Sequence, residues 1–178
     1  NYAKEFPRRE HCKKYGYGQD FGFTNDPTAI VECALAHGEL WFREVAYKTG
    51  LVNTGIGCNS IEDELEDWGV TNETIWADCA EPKSIEEIRR KGYDIRPVTK
   101  GKGSIEAGLN GMKKYRINLV NSPNLEKEFK HYKYKENKAG EITNTPIDAW
   151  NHACDAARYW CLENVVDAGK GVNYGWAK

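Results

Sequence analysis

The chain has 178 residues, of which 40% are hydrophobic and 29% are charged, and its formal net charge is −2. A chain of this length and composition can bury one core, so one domain is expected. No run approaches the roughly 20 apolar residues that a membrane helix needs, and no apolar signal-peptide core follows Asn1, so no signal peptide is expected. The six cysteines are spread out without a CxxC pair, which favours reduced thiols over a disulfide framework.

The small net charge conceals a segregation of charge along the chain. Residues 20–82 carry 13 acidic and 2 basic residues, a net −11, whereas residues 83–138 carry 15 basic and 7 acidic residues, a net +8. An acidic site beside a basic surface is expected of a metal-dependent enzyme that acts on a polyanion. Two ordinary solvated faces would give the same pattern, so both interpretations stay open.

Hydrophobic periodicity and turn residues predict a mixed α/β order of elements. The first strand and its turn occupy Tyr15–Pro27, and His37-Gly38 suits the hairpin turn between the next two strands. Further strands are predicted at Ala29–Ala36, Glu39–Thr49, Thr74–Ala80, Tyr93–Val98 and Arg116–Val120. Helices are predicted from Ser60 to Gly69, at Ile85–Gly92 with Ser84 as its cap, at Ile105–Lys114, from Ser122 to Phe129 and from about Ala149 to Val166.

This order predicts an α/β fold with a five-stranded mixed sheet in the order 3-2-1-4-5 and helices flanking it. Residues 132–146 are predicted to form a β-hairpin that projects from the body of the domain. Residues 1–14 are interpreted as a linker remnant or cut edge, residues 15–168 as the domain, and residues 169–178 as a loosely ordered C-terminal tail.

Two aspartates follow neighbouring strands of the predicted sheet. Strands 1 and 4 are adjacent in this order, so Asp20 and Asp78 should lie side by side. Ligands of α/β sheets bind beyond the strand ends, where the strand order reverses. Each aspartate also has a purely structural interpretation, as a strand-end or loop residue bonded to turn amides. Glu81 either joins the site or only favours the N-terminus of the following helix.

The last predicted helix supplies a third carboxylate. Its residues DAWNHACDAARYW place four polar side chains on one narrow face, namely Asp148, His152, Asp155 and Tyr159. Asp155 is flanked by alanines and Cys154 on a half-buried helix, so it needs a partner. Asp148 is favoured as an N-cap. A lone histidine such as His152 is more often a satisfied core residue than a ligand, and its role stays open on this evidence.

Three acids from two strand ends and one helix suit Mg²⁺ or Mn²⁺, which prefer oxygen ligands. Two such ions roughly 3.5–4 Å apart can activate a water and stabilise the leaving oxygen of a phosphodiester. Other chemistries lack their motifs, since there is no GxxxxGK[ST] phosphate loop and Asp20-Phe21-Gly22 has no kinase HRD loop beside it. Cys154 and His152 point to different helix faces, which makes them a poor nucleophile pair.

Three segments resemble the C-terminal nuclease domain of the large terminase subunit of tailed phages and prophages. They are DFGFTNDPTA, ADCAEPKSIEEIRRKGYDIRPVTKGKGSI and NTPIDAWNHACDAARY, and the match covers nearly the whole chain in the right order. The resemblance implies an RNase H-like fold and a two-metal endonuclease that cuts concatemeric double-stranded DNA during packaging. Matched motif by motif, Asp20, Asp78 and Asp155 would bind the metal ions, with His152 beside them.

The resemblance also implies a DNA-binding surface and partners. The Lys100–Ser104 loop and the 132–146 hairpin would face DNA, and the candidate DNA-binding residues are Lys100, Lys102, Lys133, Lys135 and Lys138. The ATPase domain of such proteins is not found in this sequence, so an excised domain is expected. Its partners would be that ATPase domain, a small terminase subunit and a portal, with no membrane, in the cytoplasm of the bacterial host.

Two alternatives remain. A Holliday-junction resolvase or RNase H-type nuclease would share the fold, but the segments EPKSIEE and KGKGSI match terminases better. An inactive DNA-binding or docking module belongs to a different class, and the retention of all three acids argues against it. A metal-dependent nicking assay on a plasmid separates an enzyme from such a module.

Overall fold

A six-stranded mixed sheet organises the protein, whose computed structural model describes residues 2–132, 134–136, 142–146 and 151–166. The strands are β1 (Cys12–Asp20), β2 (Thr28–Ala36), β3 (Glu39–Lys48), β4 (Ile75–Ala77), β5 (Ile95–Pro97), β6 (Ile117–Val120), β7 (Tyr134–Glu136) and β8 (Ile142–Pro146). The helices are α1 (Ile61–Trp68), α2 (Pro82–Arg90), α3 (Ser104–Lys113), α4 (Pro123–His131) and α5 (His152–Asn164). Within these described ranges, none of the helices has the length and hydropathy of a membrane-spanning segment.

The sheet has the strand order β5-β4-β1-β2-β3-β6. Strands β1, β2 and β3 form an antiparallel meander, and β4, β5 and β6 each run parallel to their neighbours. The predicted order 3-2-1-4-5 is confirmed for the first five strands, but the predicted count of five is wrong. The segment at Arg116–Val120 forms β6 and satisfies the backbone groups along the outer edge of β3, from Leu40 to Arg43.

Helices cover both faces of the sheet. On one face α5 packs against β1 and β2, together with Met112 of α3 and Leu125 of α4. On the other face Ile61 of α1 and Ile88 of α2 contribute to a second apolar cluster. Strand β2 is buried over its whole length, which agrees with its apolar sequence and its position inside the sheet.

Gly18 allows α5 to approach the sheet closely. A Cβ atom at this position would lie 1.8 Å from the carbonyl oxygen of Ala156, a distance that no side chain can occupy. The backbone of α5 therefore rests directly on β1. As a result, the first turn of α5 lies beside the C-terminal end of β1.

The helix boundaries agree with the sequence signals in α1 but not in α2. Ser60 and Asp63 form a reciprocal capping box, and Gly69 ends α1 in the left-handed conformation, as predicted. Helix α2 begins at Pro82, so Ser84 is not its cap, and Glu81 occupies the N-cap position. Proline fits the first helical position because its missing N–H would have no partner there, which explains the earlier start.

The N-terminal residues differ from the predicted linker. Strand β1 begins at Cys12, a short 3₁₀ turn precedes it, and Tyr2 forms a parallel bridge with Leu119 of β6. The amide of Ala3 donates to the Leu119 carbonyl at 2.9 Å. Tyr2 and Ala3 therefore pair with the outer edge of β6.

Strands β7 and β8 pair antiparallel in a separate two-stranded sheet. This pairing agrees with the hairpin predicted at residues 132–146. Residues 137–141, at the predicted tip, and the predicted tail at residues 169–178 lie outside the described residues.

Candidate metal centre

The C-terminal ends of β1 and β4 bring two of the predicted acids together. The two strands are parallel neighbours with Gln19 opposite Ala77, so Asp20 and Asp78 follow at the same edge of the sheet. The amide of Asp78 donates to the carbonyl of Gln19 at 3.2 Å. The sheet topology thus produces the side-by-side arrangement that the strand order predicts.

The first turn of α5 reaches the same edge. Nδ1 of His152 lies 3.0 Å from Oδ2 of Asp20, and Asp155 is near enough to Asp20 to raise its pKa by electrostatic repulsion. One turn later, the hydroxyl of Tyr159 lies 3.2 Å from Oδ2 of Asp78. The predicted common face of this helix is therefore confirmed for its described residues, and Asp148 lies outside them.

A buried glutamate on α4 fixes the start of α5. Glu128 is 1% exposed. Its Oε2 accepts from the amide of Cys154 at 2.9 Å, and its Oε1 accepts from the hydroxyl of Tyr47 at 2.8 Å. The first amides of a helix have no partner within the helix. Glu128 therefore holds the turn that carries His152 and Asp155.

Replacing Glu128 with alanine should lower the free energy of unfolding by about 2 kcal/mol, because the Cys154 amide and the Tyr47 hydroxyl lose their buried acceptor. Urea unfolding monitored by circular dichroism measures this loss. Glu126→Ala on the same helix is the matched control, since Glu126 pairs with Lys130 at the surface, and it should move the midpoint little. Equal losses in the two variants would contradict the capping role.

Asp20 carries the most strongly perturbed carboxylate of the site. Burial raises its pKa to about 6, and repulsion from Asp155 and Asp78 contributes in the same direction. The hydrogen bond with His152 opposes these effects, and the same bond raises the pKa of His152 above its usual value. The negative charge at the end of β1 is therefore only partly compensated by neighbouring protein groups.

Asp78 is bound by two neighbouring side chains and by the backbone amide of Ala80. Nζ of Lys100 lies 2.5 Å from Oδ1 of Asp78, 3.0 Å from the hydroxyl oxygen of Tyr159 and 4.7 Å from the centre of the Tyr159 ring. Burial acts to raise the pKa of Asp78, but hydrogen bonds from Lys100, from the Ala80 amide and from Tyr159 outweigh burial and hold it below its usual value. The neighbours of Asp78 thus stabilise the ionised form of its carboxylate.

Asp155 is paired with a buried arginine. Nε and Nη2 of Arg158 lie 3.1 and 3.0 Å from Oδ1 of Asp155. Arg158 is 2% exposed, and its Nη1 has no hydrogen-bond partner among the described residues. Burial raises the pKa of Asp155, while the charge of Arg158 acts in the opposite direction. A buried guanidinium needs a counter-ion, so Arg158 and Asp155 depend on each other.

The three acids fit a hard divalent cation in their donor chemistry and in their electrostatics. Carboxylate oxygens are the ligands that Mg²⁺ and Mn²⁺ prefer. Burial and, to a smaller extent, repulsion raise the pKa of Asp20, and a bound cation would favour its ionised form. Over the described part of the chain, no three His, Cys, Asp or Glu side chains lie close enough together to hold a metal ion. In this arrangement each acid contacts a partner of its own.

The predicted DNA-binding lysines have different surroundings. Lys102 is exposed in the loop before α3, and Lys100 in the same loop is also exposed but forms an ion pair with Asp78. The side chains of the remaining three candidates lie outside the described residues, namely Lys133, Lys135 and Lys138. Their contact with DNA stays a prediction.

Glu81 lies at the N-terminus of α2, which is one of the two positions predicted for it. It is the exposed N-cap residue of α2, and its carboxylate lies 3.4 Å from the hydroxyl of Ser84. A negative side chain at this point favours the helix N-terminus. This position agrees with the interpretation of Glu81 as a residue that favours the helix N-terminus.

Four side chains make contacts at the site that were not predicted from the sequence. They are Lys100 and Tyr159 at Asp78, Arg158 at Asp155, and Glu128 at the start of α5. Tyr159 lies on the predicted polar face, and Arg158 follows Asp155 at the spacing of a helical ion pair, so both had a signal. Lys100 and Glu128 come from distant segments, and no local pattern links them to these acids.

The sequence of this chain matches one family of known proteins over most of its length. The family described as "Terminase RNAseH like domain" matches residues 20–162. The chain belongs to this terminase family. The matched region of this terminase domain begins at Asp20 and includes Asp78, His152 and Asp155.

Solved structures of phage terminases share the fold of this terminase domain. The nuclease domain of the bacteriophage SPP1 large terminase, with bound Mn, has a TM-score of 0.74 and 22% identity, covering 89% of this chain and 93% of that chain. The large terminase of a thermophilic bacteriophage has a TM-score of 0.71 and 20% identity, covering 92% of this chain and 42% of that chain. The large terminase nuclease of a different thermophilic phage, G20c, with bound magnesium, has a TM-score of 0.55 and 20% identity, covering 87% and 81%.

A curated relative places the terminase domain within a longer protein. The large terminase subunit of Bacillus phage SPP1 is 29% identical over 147 residues. The matched part covers 80% of this chain but 34% of the SPP1 protein. The chain thus spans about a third of the length of this relative.

Proposed function

We propose that this domain is a divalent-metal-dependent DNA endonuclease that cuts concatemeric double-stranded DNA by two-metal hydrolysis of a phosphodiester. The observation that carries the proposal is the convergence of Asp20, Asp78 and Asp155 at one edge of the sheet. Their mutual repulsion contributes to the raised pKa of Asp20, which is about 6. Such a concentration of charge is characteristic of functional sites, and a cation offsets it.

Each residue has a distinct part in the proposed reaction. Asp20, Asp78 and Asp155 would hold two Mg²⁺ or Mn²⁺ ions, which supply an activated water and stabilise the leaving oxygen. Nδ1 of His152 holds Asp20, and its Nε2 lies 3.7 Å from Asp26. That nitrogen is available to orient a water molecule or the scissile phosphate.

The relatives support a metal-dependent nuclease. The SPP1 nuclease domain was solved with bound Mn, and the G20c nuclease with bound magnesium or cobalt. Family membership also favours a terminase over a Holliday-junction resolvase or RNase H-type enzyme. Because the chain corresponds to a third of the SPP1 protein, we propose that it works with an ATPase domain, a small terminase subunit and a portal in the host cytoplasm.

The basic part of the chain supports DNA as the substrate. Residues 83–138 carry a net +8. This region includes the loop that leads from Val98 to α3, in which Lys100 contacts Asp78. Lys102 is exposed in this loop. Contacts of lysines with phosphates carry no sequence information, and the resulting affinity falls steeply with salt concentration.

Nicking and linearisation of a supercoiled plasmid tests the proposal. The domain should cleave the plasmid with Mn²⁺ or Mg²⁺ and lose this activity in EDTA, because the ions supply the reactive water. Full cleavage in EDTA would remove the metal mechanism. Salt-sensitive DNA binding without cleavage would instead favour the docking module, and strong preference for a four-way junction would favour a resolvase.

A further inference from the structure

The loop between β5 and α3 places the positive charge of Lys100 against Asp78, one of the three acids of the candidate metal site. Nζ of Lys100 lies 2.5 Å from Oδ1 of Asp78 and 3.0 Å from the Tyr159 hydroxyl, which itself lies 3.2 Å from Oδ2 of Asp78. Both carboxylate oxygens of Asp78 are therefore occupied by this pair. The ammonium group stands at an acid that the proposed function assigns to the metal.

The surrounding backbone lets the lysine side chain move without disturbing the sheet. The amide of Val98 donates to the Ala77 carbonyl at 2.8 Å, and the amide of Thr99 donates to Oε1 of Glu163 at 2.8 Å. These bonds anchor the chain immediately before Lys100. The side chain of Lys100 is 31% exposed and has a flexible aliphatic stem, so its ammonium group can leave through solvent.

We propose that Lys100 is an internal counter-ion of the metal site, which occupies Asp78 in the metal-free protein and is displaced when a divalent cation binds. This inference rests on the proposed function, since it requires that Asp78 binds the metal. A divalent cation at Asp78 and an ammonium group 2.5 Å from the same carboxylate repel each other. Binding of one cation at Asp78 therefore weakens binding of the other.

The counter-ion role explains why the three acids are paired so differently. Asp155 keeps its partner within α5, because Arg158 is 2% exposed and has no path to solvent. Of the three side chains that pair with the acids, His152 and Arg158 belong to α5, and Lys100 comes from a loop. Metal binding would therefore open one contact, that between Asp78 and Lys100, and turn the released ammonium group toward the solvent from which a phosphate backbone approaches.

The first test measures the affinity for Mn²⁺ by isothermal titration of the metal-free domain. Lys100→Met keeps an unbranched side chain of similar length and removes the competing charge. It should bind Mn²⁺ roughly tenfold more tightly than the wild type, a change of about 1.4 kcal/mol. The matched control is Lys102→Met, which removes the same charge from an exposed position of the same loop and should leave the affinity within twofold.

The second test follows Lys100 in the wild-type domain and needs no substitution. Acetylation of lysines by acetic anhydride, quantified by mass spectrometry, should rise severalfold at Lys100 when Mn²⁺ saturates the site and stay constant at Lys102. In Asp78→Asn the reactivity of Lys100 should be high without metal.

Unchanged Mn²⁺ affinity in Lys100→Met overturns the counter-ion role, and so does unchanged Lys100 reactivity in the presence of bound Mn²⁺. If neither the wild type nor Lys100→Met binds Mn²⁺, the proposed function itself is wrong. The two failures are thereby distinguished.

Discussion

Replacing Asp20 with asparagine should abolish metal-dependent cleavage and at the same time stabilise the metal-free domain. The variant keeps an oxygen that can accept from Nδ1 of His152 but loses the charge that a divalent cation needs. Replacing a residue that only supports a metal ligand already lowers activity or metal affinity by roughly 10–100-fold. The loss for Asp20→Asn should therefore exceed roughly 100-fold in the plasmid assay.

The gain in stability follows from the raised pKa of Asp20. Its pKa of about 6 lies above the ordinary value of 3.8, so ionising this carboxylate at neutral pH disfavours the folded state. Asparagine removes that penalty, which should stabilise the domain in EDTA by about 1–2 kcal/mol. The melting temperature should rise by roughly 3–6 °C in a protein of this size.

The sign of the pH dependence checks this explanation. The folded wild type loses stability as the pH rises from about 3.8 to about 6, because the folded state holds the proton of Asp20 more tightly than the unfolded state does. The raised pKa of His152 acts in the same direction but at higher pH, because its hydrogen bond with Asp20 stabilises the protonated imidazole and this contribution is lost only as the pH rises above the ordinary histidine value of 6.5. The advantage of Asp20→Asn should thus be largest above pH 6 and should disappear toward pH 4.

Asp26→Asn is the matched control for this experiment. Asp26 lies 3.7 Å from Nε2 of His152, but its side chain is 73% exposed. The control should retain metal-dependent cleavage and show no gain in melting temperature in EDTA. A variant at Asp20 that retains cleavage, or one that melts below the wild type at pH 7.5, would contradict the role assigned to this carboxylate.

Local signals were sufficient to predict the central strands of the fold. The apolar run of β2 indicates a strand buried on both faces, and the turn at His37-Gly38 has the two positive φ angles, 55° and 76°, that a tight hairpin requires. The place of β6 could not be predicted in this way. Its four residues pair in parallel with β3, whose partner residues lie more than 70 positions earlier, and nothing local specifies such a distant edge.

The positions of the three acids could be predicted from the sequence, whereas the contact of Lys100 with Asp78 could not. Asp20 and Asp78 follow from topology, because parallel neighbouring strands end at the same edge of a sheet. Asp155 follows from helical periodicity. The direction of Lys100 depends on loop geometry, which has no period in the sequence. The positive charge of Lys100 was one basis for predicting a contact with DNA, and in the structure this charge lies against Asp78.

Asp155 and His152 share a face of α5 but should differ in their effects on metal binding. Asp155→Asn keeps an acceptor oxygen for Arg158 and removes one charged ligand, so Mg²⁺ should no longer raise the melting temperature and cleavage should be lost. Asp155→Ala should unfold more easily still. It leaves the guanidinium of Arg158, which is 2% exposed, without a counter-ion, at a cost of about 3–5 kcal/mol.

His152→Ala should slow cleavage and leave the response to Mg²⁺ mostly intact. An imidazole suits Mg²⁺ poorly as a ligand, and His152 contacts Asp20 rather than Asp78 or Asp155. The loss of a group that orients or moves a proton reduces the rate by roughly 10²–10⁴-fold. Thermal melts of Asp155→Asn and His152→Ala with and without Mg²⁺, beside plasmid cleavage, separate the two roles. If His152→Ala abolishes the metal response while Asp155→Asn preserves it, the ligand and the orienting group have been assigned the wrong way round.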